Sequence, residues 1–362
     1  MNTPATAKQE MEASIDNLFT NLATADSPGL AVGVLRDGHL IFARGYGLAD
    51  LQTKVPITTK TNFRLASVSK QFTATSIMLL VHDGKLSYDD SLTRIFPEFP
   101  DYGKTITVRN LLNHISGLKD YEDIYEQQMT GTPADKVPQL HDKDVLRLLE
   151  QQDSGAFPPR TAWRYSNSGY AVLAMAVERI SGERYEDFLQ HRIFTRLGMA
   201  HTLAYVQGRK EVPSRAFGYR HASDGATWRF ADQSPTSAVL GDGGIYSSIE
   251  DLAKWDQALT TNALLNKKEM EPAFTPVQVP GGVKLPNGGA SDYGFGWFLD
   301  AYKGRRRMWH YGDTSGFHTA IQRFPEDRIT VIVLANRTDV DAGELALKVA
   351  DLYLGTAKRA AQ

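Results

Sequence analysis

Cysteine is missing from all 362 residues, so the chain holds no disulfide, no thiolate nucleophile and no cysteine-ligated zinc. That absence leaves the compartment open, since a cysteine-free chain suits cytosol and periplasm alike. Long apolar runs are missing too: no stretch of about 18 apolar residues is available to span a bilayer. Charge of one sign is not in excess either. Forty lysines and arginines face 42 aspartates and glutamates, for a formal net charge of -2, and the chain carries no electrostatic footprint for nucleic acid. The triplet Arg305-Arg306-Arg307 is too short to count as one and reads as a solvated turn. The opening MNTPATAKQEMEAS lacks the basic start and apolar centre of a secretory leader. The expectation is a cytoplasmic protein, or a periplasmic or secreted one from which a leader was removed. Several catalytic signatures are also missing: there is no G-x-S-x-G elbow, no H-E-x-x-H and no P-loop.

What is present describes an ordinary globular protein, with 42% hydrophobic and 23% charged residues. The length exceeds what one hydrophobic core usually serves, which predicts two lobes or one large α/β body. A helix is expected near Ala7 to Leu22, with Met11, Ile15, Leu18, Phe19 and Leu22 on one face. GLAVGVLR and HLIFARGYG then read as strands joined by Asp37-Gly38, a hairpin signal. Strand signal disappears until well past Tyr205. Helix-period segments fill the interval at Val108 to Leu112, Asp144 to Glu150, Tyr170 to Ile180 and Tyr185 to Ile193. Ser247 with Glu250 three residues on reads as a capping box. Strands return late, in YGFGWFLDAY, RRMWHYG, GFHTAIQRFP and RITVIVLAN, before a last helix from about Asp341 to Leu354. This order predicts an α/β fold of the α+β type: an antiparallel sheet flanked by helices, with an inserted and mostly helical lobe. Residues 1–83 and 225–362 are expected to form the sheet domain and residues 84–224 the helical one, with the active site between them.

Four stretches carry possible chemistry. In FRLASVSKQFTATSIMLLV, Ser67 and Lys70 stand three apart at the head of a buried helical run, which puts hydroxyl and amine on one face. A serine becomes nucleophilic when a neighbouring base takes its proton, and lysine can be that base once burial lowers its pKa. The competing reading makes Ser67 an N-cap and Lys70 a solvated helix residue. In WRYSNSGY, Tyr165 and Asn167 are two apart, so phenol and carboxamide can face one site; otherwise Tyr165 is a core aromatic and Asn167 an N-cap. In WHYGDTSGF, His310 and Gly312 end a strand, where the glycine allows a substrate backbone to lie close and the histidine can donate a hydrogen bond or carry partial positive charge near pH 7; the competing reading is a satisfied surface or core histidine. LGDGGIYSS, with Gly241, Gly243 and Gly244, is a close-approach loop or a connector. The loop from Lys119 to Leu140 is expected to shape a pocket. Tyr121, Tyr125 and Trp163 either line that pocket or pack the lobe.

Ser67-Val68-Ser69-Lys70, Tyr165-Ser166-Asn167 and His310-Tyr311-Gly312, in that order, resemble the three motifs of the serine β-lactamase and penicillin-binding protein superfamily. The likeness is greatest to its class C-like branch, which includes D,D-carboxypeptidases, D-aminopeptidases and family VIII carboxylesterases. GYGLAD, LLNHISGL and GGIYSSIEDLAKW support it, over about Leu30 to Asn336. The resemblance implies Ser67 as acylated nucleophile, Lys70 as its proton acceptor, and Tyr165 as shared general base and acid. Asn167 would bind the acyl side of the substrate and steady Lys70. His310 and Gly312 would line the opposite wall, and the N–H groups of Ser67 and Asp313 would form the oxyanion hole. No metal or organic cofactor is implied. The implied substrate is a small ester, a D-residue peptide or a β-lactam. Class C β-lactamases carry lysine where His310 stands, which tilts the expectation from β-lactam hydrolysis towards an esterase or D-peptidase. A non-catalytic binding protein on the same fold is the remaining alternative.

Overall fold

Asp37 and Gly38 both take positive φ, 55° and 76°, the backbone that a two-residue turn between twisted antiparallel strands demands. They join β1 (Leu30–Arg36) to β2 (His39–Tyr46) as the sequence pattern predicts. The molecule was obtained as a computed structural model describing residues 4–133, 136–285 and 290–355. Its late strands are β3 (Val283–Lys284), β4 (Ala290–Tyr293), β5 (Phe298–Tyr302), β6 (Arg305–Thr314), β7 (Phe317–Phe324) and β8 (Ile329–Ala335). Among the described residues they combine with the first hairpin into one antiparallel sheet of eight strands, ordered β3-β4-β5-β6-β7-β8-β1-β2. Chain start and chain end thus meet, with Val32 opposite Val333 across β1 and β8.

β8 is buried along its whole length because both faces of the sheet are covered. Its Val331 and Val333 pack with Ile15 and Phe19 of α1 (Pro4–Thr20) and Leu345 and Val349 of α6 (Ala342–Leu354). Its Ile332 and Leu334 face the larger core, which contains α2 (Lys70–His82). Every residue of α2 from Lys70 to Leu80 is buried, which is why the sequence shows helical spacing but no polar stripe. The remaining helices used below are α3 (Tyr121–Met129), α4 (Asn167–Ser181) and α5 (Ile249–Thr261).

Sequence and structure part in four places. YGFGWFLDAY is two strands, broken at Gly296, whose φ of 77° turns the chain against Lys70 and Gln71. The interval before Tyr205 holds short strands: Phe63–Arg64 and Leu203–Ala204 both pair with Ile245–Ser247. The capping serine of α5 is Ser248, whose side chain accepts from Asp251 N, while Ser247 is buried in a strand against Thr202. Arg305-Arg306-Arg307 is no turn. It opens β6, where Arg307 grips both carboxylate oxygens of Asp300 at 2.7 Å and Arg305 meets Asp327.

Candidate active site

Between Thr61 and Leu80 only Ser67 is open to solvent. The chain reaches it through Phe63–Arg64, fixed to the Ile245–Ser247 strand, and then through Ala66 at a positive φ of 47°. Ser67 lies in a 3₁₀ turn, Ala66–Ser69, that leads into α2. Side chains three apart eclipse in such a turn, and Lys70 Nζ donates to Ser67 Oγ at 2.9 Å. The sequence predicts this pair on an α-helical turn; the tighter turn brings it together more directly.

Lys70 is fully buried. Its ammonium also donates to Asn167 Oδ1 at 2.8 Å and to the carbonyl oxygen of Asp242 at 2.9 Å. Burial pulls its pKa down to about 8, against an upward push from the Asp242, Glu122 and Asp120 carboxylates. Asn167 reaches it from the first turn of α4, which is capped by Ser166 rather than by Asn167: Ser166 Oγ accepts from Gly169 N. Asp242 arrives on the short helix Leu240–Gly243, held down by Asp142, whose two carboxylate oxygens accept from Leu240 N and Gly241 N. A side chain at Gly241 would strike the Tyr170 carbonyl, so the glycine stretch is a close-approach element.

The Tyr165 ring sits 4.9 Å from Lys70 Nζ. Burial raises the phenol well above its usual value, while the hydrogen bond with Ser67 opposes that shift. Tyr165 therefore rests as a neutral phenol, and Lys70 is the group of the pair that loses its proton more readily. Trp163 packs with Tyr165, Tyr293 and Phe298 in one aromatic cluster.

In the third motif His310 takes the plainer of its two readings, a satisfied core histidine. The ring is completely buried, with Nδ1 donating to the Tyr311 carbonyl at 2.7 Å and Nε2 accepting from the Tyr293 hydroxyl at 3.2 Å. Burial first, then the Lys70 charge, lower its pKa to about 3. The ring is the neutral, enclosed histidine rather than the partly charged one. Packing alone requires Gly312: a Cβ there would lie 2.2 Å from the Leu65 carbonyl and 3.0 Å from Ala66 Cβ. β6 thus presses on the turn that carries Ser67, and Thr319 Oγ1 ties β7 to the same carbonyl at 2.8 Å. β5 pairs with β6 only as far as Phe298 opposite Trp309. Past that point, through Gly312 and Asp313, this edge of β6 has no strand partner among the described residues. The Asp313 side chain points to the other face, 3.8 Å from His318.

The stretch from Lys119 to Leu140 contains helix α3 and a loop after it; its Ala134 and Asp135 lie outside the described residues. Tyr121 and Tyr125 are packing residues, and the Tyr121 hydroxyl donates to Asp242 at 2.8 Å. Sequence reasoning missed Asp120, Glu122 and Asp242 as neighbours of Lys70. The available signal for Asp242 was a lone carboxylate between glycines in an apolar string.

The chain matches the beta-lactamase family over residues 15–354 and belongs to that family. It is 34% identical over 361 residues to penicillin-binding protein 4* of Bacillus subtilis, covering 96% of this chain and 77% of that protein. It is 27% identical to a D-aminopeptidase of Cereibacter sphaeroides, covering 89% of this chain and 58% of the relative's length. The solved D-amino acid amidase of Ochrobactrum anthropi superposes with a TM-score of 0.77 at 26% identity, over 95% of this chain and 97% of that one. The protein is a serine hydrolase of the β-lactamase and penicillin-binding protein superfamily, with the antiparallel sheet and helices expected of it. No helix among the described residues is long and apolar enough to cross a membrane.

One consequence of the packing is testable on any hydrolysed substrate. Gly312→Ala must push Leu65 and Ala66 aside, and a displacement of about 1 Å at a reacting group costs on the order of 100-fold in rate. The expected result is that loss in kcat with the protein still folded; a Gly312→Ala enzyme of normal kcat would show that the turn carrying Ser67 has room to spare.

Proposed function

We propose that this protein hydrolyses amides and short peptides of D-amino acids that carry a free α-ammonium group, and comparable esters, through an acyl-enzyme on Ser67. The observation that carries the reading is Lys70 Nζ held at once by Ser67 Oγ, Asn167 Oδ1 and the Asp242 carbonyl, with its pKa near 8. In its neutral form Lys70 takes the Ser67 proton as Oγ bonds to the substrate carbonyl carbon. The oxyanion forms against the N–H groups of Ser67 and Asp313 on the open edge of β6. Tyr165, beside both Ser67 and Lys70, passes the proton to the leaving nitrogen, and water then releases the acid by the reverse path. The site lies in a cleft between the sheet domain, residues 1–83 and 225–362, and the helical domain, residues 84–224. No metal or organic cofactor enters these steps.

Two features favour an ammonium-bearing amide over a β-lactam. His310 is neutral and enclosed, so it offers no cation to a substrate carboxylate. The carboxyl groups of Asp120 and Glu122 lie where Lys70 senses both and Asn167 bonds to Glu122. Glu122, open to solvent on one side, has its carboxyl pushed up to about 7 by desolvation, then by Asp242 and Asp120; a substrate ammonium would restore its charge. The D configuration follows the relatives named D-aminopeptidase and D-amino acid amidase.

The test compares D-alanine p-nitroanilide, its N-acetyl form, the L-enantiomer and benzylpenicillin. D-alanine p-nitroanilide should be turned over best. Glu122→Gln should raise its KM about tenfold, the factor that corresponds to about 1.4 kcal/mol of binding, while p-nitrophenyl acetate, which has no ammonium, is spared. Equal losses on both substrates, or faster turnover of benzylpenicillin than of the anilide, would reject this specificity.

A further inference from the structure

LLNHISGL contains a histidine that the proposed chemistry leaves unused. His114 is 1% exposed and takes a positive φ of 60°, a conformation that non-glycine residues avoid. Its carbonyl accepts from Arg164 N at 3.0 Å, and its Nδ1 accepts from Ser166 N at 3.1 Å. These two bonds bracket Tyr165 along the chain. The imidazole also lies against the Tyr165 ring, centroids 4.4 Å apart with 37° between planes. Tyr293 and Tyr170 close around its other sides at 4.6 and 5.1 Å.

Such an arrangement carries costs that plain packing would avoid. Because Nδ1 is an acceptor, the ring proton resides on Nε2, and Nε2 is buried without a hydrogen-bond partner among the described residues. A buried unpaired donor and a positive φ both weigh against stability. An apolar side chain would remove the first cost and a glycine the second. Neither would supply an acceptor to Ser166 and a flat face to Tyr165. The imidazole is kept neutral by burial, then by the Lys70 and His310 sites, all of which lower its pKa, and only the neutral ring has the Nδ1 lone pair.

We infer that His114 is a positioning residue that fixes the Tyr165 phenol at Ser67 and Lys70, through the backbone on both sides of Tyr165 and through its ring face. The inference rests on the proposed role of Tyr165 in proton transfer. It places the precision of the second motif in a histidine about fifty residues upstream, whose hydrogen bonds run to the backbone of Arg164 and Ser166.

The experiment measures kcat and KM for p-nitrophenyl acetate in His114→Ala and His114→Asn, each alone and in a Tyr165→Phe background, with circular dichroism to give the folded fraction. Asparagine tolerates positive φ and can still accept from Ser166, so it should rescue part of the loss. The expected kcat falls about 100-fold for alanine and about tenfold for asparagine, with KM little changed, as misplacement of a reacting group predicts. In the Tyr165→Phe background His114→Asn should cost nothing further. Losses that add in full to that of Tyr165→Phe, that track unfolding, or that are absent in His114→Asn beside a damaged Tyr165→Phe would overturn the inference alone. An undamaged Tyr165→Phe enzyme would overturn it together with the role of Tyr165.

Discussion

Ser67→Ala is expected to reduce turnover of D-alanine p-nitroanilide and p-nitrophenyl acetate by about 10⁴- to 10⁶-fold, the scale of losing a serine that acts as a unit with its base. The substitution should leave the fold intact. Ser67 is the one residue open to solvent in its segment, and Lys70 keeps Asn167 and Asp242 as partners when the hydroxyl is gone. One lost hydrogen bond costs roughly 1 kcal/mol, far less than the barrier increase behind such a rate loss. Intact mass after brief exposure to p-nitrophenyl acetate separates chemistry from folding: an added acetyl group should appear on the parent protein and be missing from Ser67→Ala. Turnover that survives the substitution would remove Ser67 from the mechanism, and a parent protein inert to every substrate would leave the binding-protein reading standing.

The reach of the sequence follows from how local each feature is. Ser67 and Lys70 are legible because three residues of helix-type chain suffice to bring them together, and the 3₁₀ turn only tightens what the spacing predicts. The first hairpin is legible for the same reason, since Asp37-Gly38 fixes it alone. Arg305-Arg306-Arg307 misleads because its partners, Asp300 and Asp327, are supplied by a neighbouring strand and by the turn after β7. Which of its two readings His310 takes is less legible still. Its charge depends on burial by the fold around it and on Lys70, neither of which is local in sequence. For Gly312 the sequence suggests substrate approach, yet the nearest contact that a side chain there would strike is Leu65, far back in the chain. Asp242 is not legible in the sequence because its meeting with Lys70 is made by pairing Phe63–Arg64 with Ile245–Ser247. Motif order conveys which residues converge; protonation states and the reasons for glycines are properties of the folded surroundings.

Those surroundings set the second large effect, on Lys70. If its neutral amine is the base, kcat/KM must rise with pH, losing about tenfold for each unit below the pKa and levelling off above about 8. The titration belongs to Lys70 rather than Tyr165, whose phenol is held well above 10. Asp242 exerts the largest upward push on Lys70. Asp242→Asn should therefore move the acid limb to lower pH while still accepting from Tyr121. Lys70→Met removes the base and should cost about 10³-fold, within the range of general base catalysis, with the inflexion near 8 gone from the residual rate. An inflexion that persists in Lys70→Met would assign it to another group. An acid limb unmoved by Asp242→Asn would show that the Asp242 carboxyl is already uncharged beside the lysine. The sign is the decisive point: burial makes Lys70 a usable base, and the three carboxylates around it limit how far that goes.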